Sequence, residues 1–147
     1  MAESDPSIKY RLEQIAETFH VADIYVFGSR AQEIASRLST EGRPLEEDVS
    51  SDVDIGVRPR NGAYLNVRMR VELMAALEDL FQVGRVDLVV LPDVDPFLAL
   101  EAVQGELIYT KDLDDQARYE LFVLRRAGDL LPYKRERIRM ILEEGAL

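Results

Sequence analysis

Two aspartates, Asp52 and Asp54, stand at the start of a short segment of mainly β-branched residues that runs to Val57. Because side chains alternate between the two faces of a strand, both carboxylates are expected on the same face. Neighbouring carboxylates repel each other unless a cation lies between them, and hard divalent ions prefer oxygen ligands. The pair therefore predicts a magnesium site.

Asp87 is the single carboxylate in the apolar segment 85–91. An unpaired carboxylate buried in such a strand would be unfavourable, so this side chain needs a partner. An ion pair with Arg85 would satisfy it, and so would a metal held on a neighbouring strand. With Asp52 and Asp54 upstream, we favour the second interpretation and predict all three aspartates as metal ligands.

A possible anion cradle follows the β-branched and aromatic segment 23–27, where Gly28 and Ser29 precede a segment of helical periodicity. Backbone N–H groups at the start of a helix, together with the Ser29 hydroxyl, can bind phosphate oxygens. Glycine lets the backbone approach a ligand closely. Arg30 could add a charge-assisted contact, so these three residues are the predicted nucleotide-binding residues.

Hydrophobic periodicity assigns the elements that position these residues. The predicted order is a helix at 6–20, a strand at 23–27, a helix at 31–38, a strand at 52–57, a helix at 64–81, a strand at 85–91, a helix at 96–104, a strand at 106–110 and a mostly helical remainder at 112–144. Asp5-Pro6 is expected to cap the first helix and Asp95-Pro96 the helix at 96–104, and residues 39–51 are expected to form a mobile surface loop. Gly128 and Pro132 are expected to break or kink the last helix. The fold class is α/β (α+β), with helices packed against a small mixed sheet of about four strands.

Length and composition favour one domain over 1–147, with a core at 6–110 and a helical extension at 111–147. The chain has no cysteine, so a bound metal would need oxygen ligands or the single His20. There is no apolar run long enough to span a bilayer and no signal-peptide pattern at the start. A cytoplasmic location is the resulting expectation.

The formal net charge of −10 disfavours binding to polynucleotides and anionic membranes over most of the surface. A small nucleotide is different, because a divalent cation can reverse the sign of the local field. One basic cluster stands near the end of the chain, and it comprises Lys134, Arg135, Arg137 and Arg139. It is expected on an exposed helix face, where contact with an acidic partner or with ATP is the alternative role.

Three segments together resemble the signature of the nucleotidyltransferase superfamily of the DNA polymerase β type, in particular its minimal, single-domain members. They are Phe27-Gly-Ser-Arg30, Ser51-Asp-Val-Asp-Ile55 and Val86-Asp-Leu88. The resemblance extends over most of residues 8–110 and implies the polymerase β-like nucleotidyltransferase fold.

The resemblance also implies a role for each matching residue. Gly28 and Ser29 would hold the phosphates of the nucleotide, Asp52 and Asp54 would bind Mg²⁺, and Asp87 would complete the metal site. Family catalysis uses two magnesium ions and an in-line attack on the α-phosphorus of ATP, with release of pyrophosphate. By this analogy the three aspartates are the predicted catalytic residues.

The chain beyond residue 110 resembles the helical extension of the MntA-type antitoxins, which are encoded beside a HEPN-domain ribonuclease toxin. Members of that group inactivate the toxin by adenylylating a tyrosine. The resemblance implies ATP as substrate, AMP transfer to a hydroxyl of a HEPN toxin, and a possible hetero-oligomer with it. In such a reaction Asp87 would take the acceptor proton, while Ser29 and Arg30 would steady the leaving group.

The distance between the glycine-serine turn and the first aspartate departs from the family pattern. Residues 30–51 contain an insertion of about a dozen residues at this point. The insertion is compatible with a surface loop, a lid, a partner contact or a site that has lost turnover. Two other functions therefore stay open. They are nucleotide transfer to a small molecule and a non-catalytic antitoxin of the same fold that neutralises its partner by contact.

Overall fold

The computed structural model describes residues 7–39 and 52–144. The elements in chain order are α1 (Ile8–Thr18), β1 (Val21–Phe27), α2 (Ala31–Ser39), β2 (Val53–Pro59), α3 (Val67–Phe81), β3 (Val86–Val90), a 3-10 turn (Leu91–Asp93), α4 (Pro96–Val103), β4 (Glu106–Thr110) and α5 (Leu113–Glu144). This order agrees with the prediction, with shifts of a few residues at element ends. The predicted loop between α2 and β2, and the predicted Asp5-Pro6 cap, lie outside the described residues.

The four strands form one mixed sheet in the order β3-β2-β1-β4. Strand β1 runs antiparallel to β2 and to β4, whereas β2 and β3 are parallel. The end of β1 and the starts of the other three strands therefore lie together at one end of the sheet. We call this end, where the strands begin or finish, the site edge. Within it, Phe27 pairs with Asp54, and Asp54 pairs with Asp87.

Helices cover both faces of the sheet, and each face has its own hydrophobic cluster. The face covered by α1, α2 and α3 buries residues including Leu12, Ala16, Ile24, Val26, Ile34, Val53, Ile55, Val57, Leu73, Leu77 and Phe81. The face covered by α4 and α5 buries Tyr25, Phe27, Leu91, Ala99, Ala102, Val103 and Val123. The alternation along β2 leaves Asp54 on the α4 face, because Val53 and Ile55 belong to the first cluster.

A buried polar network joins α5 to the sheet at the edge opposite the site edge. Asp23 is fully buried, with its carboxylate 2.5 Å from Arg58 Nε and 2.7 Å from the hydroxyl that Thr110 donates. Arg58 also donates to Asp115 on α5 at 2.7 Å and lies 4.9 Å from the ring centre of Tyr119. Removal of one partner from such a buried pair typically destabilises a protein by about 3–5 kcal/mol. The network therefore fixes where α5 crosses the sheet.

Side-chain caps set the starts of three helices. Ser7 accepts a hydrogen bond from the Tyr10 N–H at 3.1 Å, so α1 begins two residues later than predicted. Asn66 accepts from Met69 N–H at 2.8 Å and starts α3. Asp95 accepts from the Phe97 N–H at 2.7 Å, which confirms the predicted cap of α4.

Of the break or kink expected in the last helix, the break is wrong, because α5 runs through Gly128 and Pro132 without interruption, and the kink stays a prediction. Proline lacks an N–H and crowds the carbonyl four residues earlier, and here that carbonyl belongs to Gly128. Both residues are exposed, so solvent can satisfy the freed carbonyl, and Gly128 has no side chain to crowd. No helix in residues 7–39 or 52–144 is long and apolar enough to cross a membrane.

Candidate functional site

Strand register brings two of the predicted aspartates side by side at the site edge. Asp54 is the second residue of β2 and Asp87 the second residue of β3, and they are partners across the parallel pair. Asp52 immediately precedes β2. Asp54 is partly buried, whereas Asp52 and Asp87 are exposed. The three aspartates thus lie at the same end of two adjacent strands.

Asp54 lies among other negatively charged side chains. Burial raises the pKa of its carboxyl group, and the negative charges of Asp87, Asp52 and Glu101 raise it further. A divalent cation would reverse both effects, because it replaces the lost hydration and neutralises the repulsion. The oxygen donors present therefore suit Mg²⁺. Within residues 7–39 and 52–144, no three or more His, Cys, Asp or Glu side chains, the three aspartates included, are grouped closely enough to hold a metal ion as they stand.

The desolvation argument made for Asp87 is wrong and applies to Asp54 instead. β3 is an edge strand of the sheet, and Asp87 lies near its start, so solvent reaches the side chain. Arg85, the alternative partner considered for Asp87, lies beside Asp52, with 3.6 Å between Nε and Oδ2. The sequence pattern alone could not reveal which strand lies at the sheet edge.

The glycine-serine turn packs directly against Asp54. Gly28 has φ +79°, and a Cβ atom at this position would overlap Oδ2 of Asp54. Only glycine fits such a conformation without strain at such a close approach. Ser29 is exposed and stands two residues before Ala31, the first residue of α2. The turn therefore presents an exposed hydroxyl and a helix N-terminus next to Asp54, an arrangement suited to a phosphate group.

Arg30 is placed differently from the expectation that it faces a phosphate. Its side chain is 7% exposed, and Glu33 binds its guanidinium with both carboxylate oxygens, at 3.0 and 3.1 Å. Glu33 also pairs with the buried Arg37, which donates to the Phe81 carbonyl at the end of α3. The Arg30–Glu33 pair would have to open before Arg30 could reach a nucleotide. Phosphate binding by Arg30 stays a prediction.

A cleft of about 410 Å³ adjoins the glycine-serine turn. It is lined by Phe27, Gly28, Ser29, Ala31, Gln32, Glu101, Gln104, Gly105 and Glu106. Gly105 closes the turn between α4 and β4, where a Cβ atom would overlap the Val26 carbonyl and Phe27. The cleft thus has carboxylate and amide groups on its α4 side and the N-terminus of α2 on the other.

Sequence reasoning missed Glu101, although its charge acts on Asp54 and its side chain lines the cleft. A signal was present, because Glu101 is the only charged residue in the otherwise apolar helix α4. It is the same kind of anomaly as Asp87 in β3. Arg85 was considered only as a possible partner of Asp87.

Solved structures with the same fold include three toxin–antitoxin complexes. A chain of a toxin–antitoxin structure with AMP-PNP superposes with a TM-score of 0.67 at 20% identity, covering 91% of this chain and 98% of that one. A chain of the toxin–antitoxin MntA-HepT gives 0.65 at 17%, covering 92% and 97%. A chain of a tri-AMPylated Shewanella oneidensis HEPN toxin in complex with MNT antitoxin gives 0.65 at 17%, covering 92% and 96%.

The sequence itself carries a family signature. No protein of curated function matches the chain at a significant level of sequence similarity. The family model described as Polymerase beta, Nucleotidyltransferase matches residues 11–114, a span that includes the glycine-serine turn and all three aspartates. The chain therefore belongs to the polymerase β nucleotidyltransferase family, and its fold is that of chains found in MntA–HEPN toxin–antitoxin complexes.

Proposed function

We propose that this chain is an antitoxin that transfers AMP from ATP to a hydroxyl, with tyrosine the expected acceptor, of a cognate HEPN ribonuclease toxin. The observation that carries the proposal is the pairing of Asp54 with Asp87 on adjacent parallel strands, with the Gly28 turn packed against Asp54. This geometry combines an oxygen-rich cation site with a phosphate cradle. A cytoplasmic setting belongs to the same proposal.

Asp52, Asp54 and Asp87 would hold magnesium, which supplies charge neutralisation at the phosphates and lowers the pKa of an attacking hydroxyl. The backbone N–H groups and hydroxyl of the Gly28-Ser29 turn would bind the phosphates of the leaving group. Asp87 is exposed on the edge strand, where its carboxylate is accessible to an incoming hydroxyl and its proton. The catalytic contribution of the chain would be mainly position and charge.

The acceptor class is supported by what the structural neighbours contain. One of those structures holds AMP-PNP, and another holds a tri-AMPylated HEPN toxin bound to an MNT antitoxin. A superposition over more than nine-tenths of this chain includes the long helix α5 as well as the sheet. An antitoxin acting on a HEPN partner is therefore the function that we favour over transfer to a small molecule.

The proposal can be tested by incubating the protein with α-labelled ATP, Mg²⁺ and the product of the adjacent gene, which the proposal expects to be a HEPN-domain protein. We expect label on the partner, and we expect that Asp52→Ala and Asp54→Ala abolish it. Asp114→Ala is a matched control, because Asp114 is an exposed aspartate at the start of α5, at the opposite edge of the sheet. That variant should label the partner as the wild type does.

Two other outcomes would distinguish the remaining hypotheses. If the partner is neutralised without label, and both aspartate variants still neutralise it, the chain is a non-catalytic binding module. If label appears only on a small molecule from a metabolite extract, the acceptor class is wrong while the transferase chemistry stands.

A further inference from the structure

Arg85 is a cation that projects from the site edge while its backbone is held on both sides. Its carbonyl accepts a hydrogen bond from the Val53 N–H at 3.1 Å, which ties it to β2. The next N–H, of Val86, donates to the Glu78 carboxylate on α3 at 3.0 Å. The Arg85 side chain itself is 71% exposed. The position of its Cα is therefore fixed, and its guanidinium is accessible from solvent.

The contact that the guanidinium makes with Asp52 is loose. Nε lies 3.6 Å from Oδ2, and the Asp52 side chain is 48% exposed. An ion pair of this length between two solvated side chains contributes little, about 0–1 kcal/mol. Arg85 can therefore leave Asp52 for a better-placed anion at small cost, whereas Arg30 would first have to leave the two hydrogen bonds to Glu33.

The order of the strands places Arg85 and the glycine-serine turn on opposite sides of the aspartates. The turn follows β1 and Arg85 precedes β3, with β2 between them. Adjacent strands are about 4.8 Å apart, so the two features are separated by about 10 Å. In an in-line transfer the attacking and leaving groups lie on opposite sides of the phosphorus. If the turn holds the leaving group, Arg85 stands on the side of the acceptor.

We propose that Arg85 is a positioning residue for the acceptor, and that its guanidinium binds an oxyanion located next to the acceptor hydroxyl. This inference rests on the proposed function. Arg85 immediately precedes β3 and Asp87 is the second residue of that strand, so an anchor on Arg85 brings the hydroxyl towards Asp87. The fork of an arginine suits a carboxylate or a phosphodiester equally.

The oxyanion has two possible sources. It is a carboxylate of the acceptor protein, or it is the phosphodiester of a nucleotide that has already been transferred. The first source would make Arg85 important for every transfer. The second would make it important only for the second and later transfers to the same acceptor.

The test compares wild type, Arg85→Gln and Arg85→Lys with labelled ATP and the same acceptor protein as above, measuring KM and kcat for the acceptor. Dissociation constants for Mg²⁺ and a non-hydrolysable ATP analogue are measured separately. We expect Arg85→Gln to raise the acceptor KM about tenfold or more, as for loss of a charge-assisted hydrogen bond. Nucleotide and magnesium affinity should not change, and Arg85→Lys should recover part of the loss.

Arg68→Gln is the matched control, because Arg68 is an 88% exposed arginine with an exposed partner, Glu72, at 3.1 Å. It lies at the start of α3, at the far edge of the sheet, and its replacement should leave the acceptor KM unchanged. Intact masses of the acceptor distinguish the sources. A loss of all modified species indicates a carboxylate, and a build-up of the singly modified species indicates the phosphodiester.

Three results would overturn the inference. If Arg85→Gln matches the wild type both in the acceptor KM and in the distribution of singly and multiply modified acceptor, the inference alone fails and the proposed function stands. If weaker magnesium or nucleotide binding accounts for the whole loss, Arg85 acts through Asp52 or the leaving group. If the wild type transfers no label at all, the proposed function and the inference fail together.

Discussion

At the scale of single residues, Asp54 combines a predicted role in chemistry with an unfavourable environment. Burial raises the pKa of its carboxyl group, and the charges of Asp87 and Asp52 add to the effect. A carboxyl group whose pKa is higher in the folded chain favours folding only while it is protonated. Its contribution is therefore present at pH below about 4, the unfolded value, and is lost as the pH rises through the folded value.

We accordingly predict that Asp54→Asn stabilises the protein near neutral pH in metal-free buffer while it abolishes nucleotidyl transfer. Thermal denaturation with a chelator present measures the first effect, and the label-transfer assay measures the second. The stability difference should shrink as the pH is lowered, because the wild-type carboxyl group then becomes neutral. Asp114→Asn should show no such gain. A variant less stable than the wild type at neutral pH would contradict the argument.

Gly28 and Gly62 offer a matched pair for the glycine-serine turn. Both have positive φ, +79° and +80°, so an alanine at either position pays a similar conformational penalty of about 1 kcal/mol. Only at Gly28 would the new methyl group meet Asp54, since nothing lies within 4 Å of a Cβ at Gly62. Gly28→Ala should therefore weaken transfer severely, whereas Gly62→Ala should lower stability and leave transfer intact. Equal activities would show that the contact with Asp54 is unimportant.

At the scale of elements, the turn at Gly105 between α4 and β4 shapes the cleft. A Cβ atom at Gly105 would overlap the Val26 carbonyl and Phe27, so Gly105→Ala should destabilise the protein by about 1–3 kcal/mol. Gly128 in α5 has open space around it, and Gly128→Ala should stabilise the protein by about 0.5–1 kcal/mol. Urea denaturation of the two variants measures both changes in the free energy of unfolding. A stabilised Gly105→Ala variant would show that the turn has room for a methyl group.

The elements that could be predicted from the sequence are those with a local cause. Period-two alternation around Asp52 and Asp54 predicted their strand, and Asp95 before Pro96 predicted the start of α4. The strand order could not be read in this way, because it depends on pairing between distant segments. It is this order that makes Asp87 exposed and aligns it with Asp54.

Most of the side-chain ion pairs and hydrogen bonds could also not be predicted from the local sequence. The spacing of Arg30 and Glu33 allows an ion pair on one helix face, but only the packed structure shows that it is buried and linked through Arg37 to α3. Gly128 and Pro132 were expected to break or kink α5. The helix does not break, and the local rule could not show this because it carries no information on the solvent around Gly128. The candidate site was thus predictable in its carboxylates and its turn, and not in its cations.

At the scale of the whole molecule, side chains of α5 contact side chains of the sheet and hold the helix against the core. Gln116 on α5 donates to the Tyr25 hydroxyl on β1 at 2.7 Å, and Tyr119 lies over Arg58 of β2. Val123 packs in the same hydrophobic cluster as Tyr25. We therefore expect the first half of α5 to unfold together with the sheet, as the single-domain prediction requires.

Two tyrosines give this expectation a pH signature. Burial raises the pKa of Tyr25 in the sheet, and of Tyr119 in α5, to about 12. In an unfolded chain a tyrosine ionises near pH 10, so the unfolded state releases protons that the folded state keeps. The contribution of both phenols to stability is therefore constant below about pH 10 and is lost as the pH rises towards about 12.

We predict that Tyr25 and Tyr119 ionise late, and that both do so in the same transition in which helical circular dichroism is lost. Phenolate absorbance recorded during an alkaline titration measures the ionisation. Tyr119→Phe should remove half of the late absorbance change, whereas Tyr133→Phe should leave it intact, because Tyr133 is 75% exposed on the distal part of α5. If Tyr119 ionises at a lower pH than Tyr25, α5 detaches before the sheet unfolds, and the helix is a separable extension.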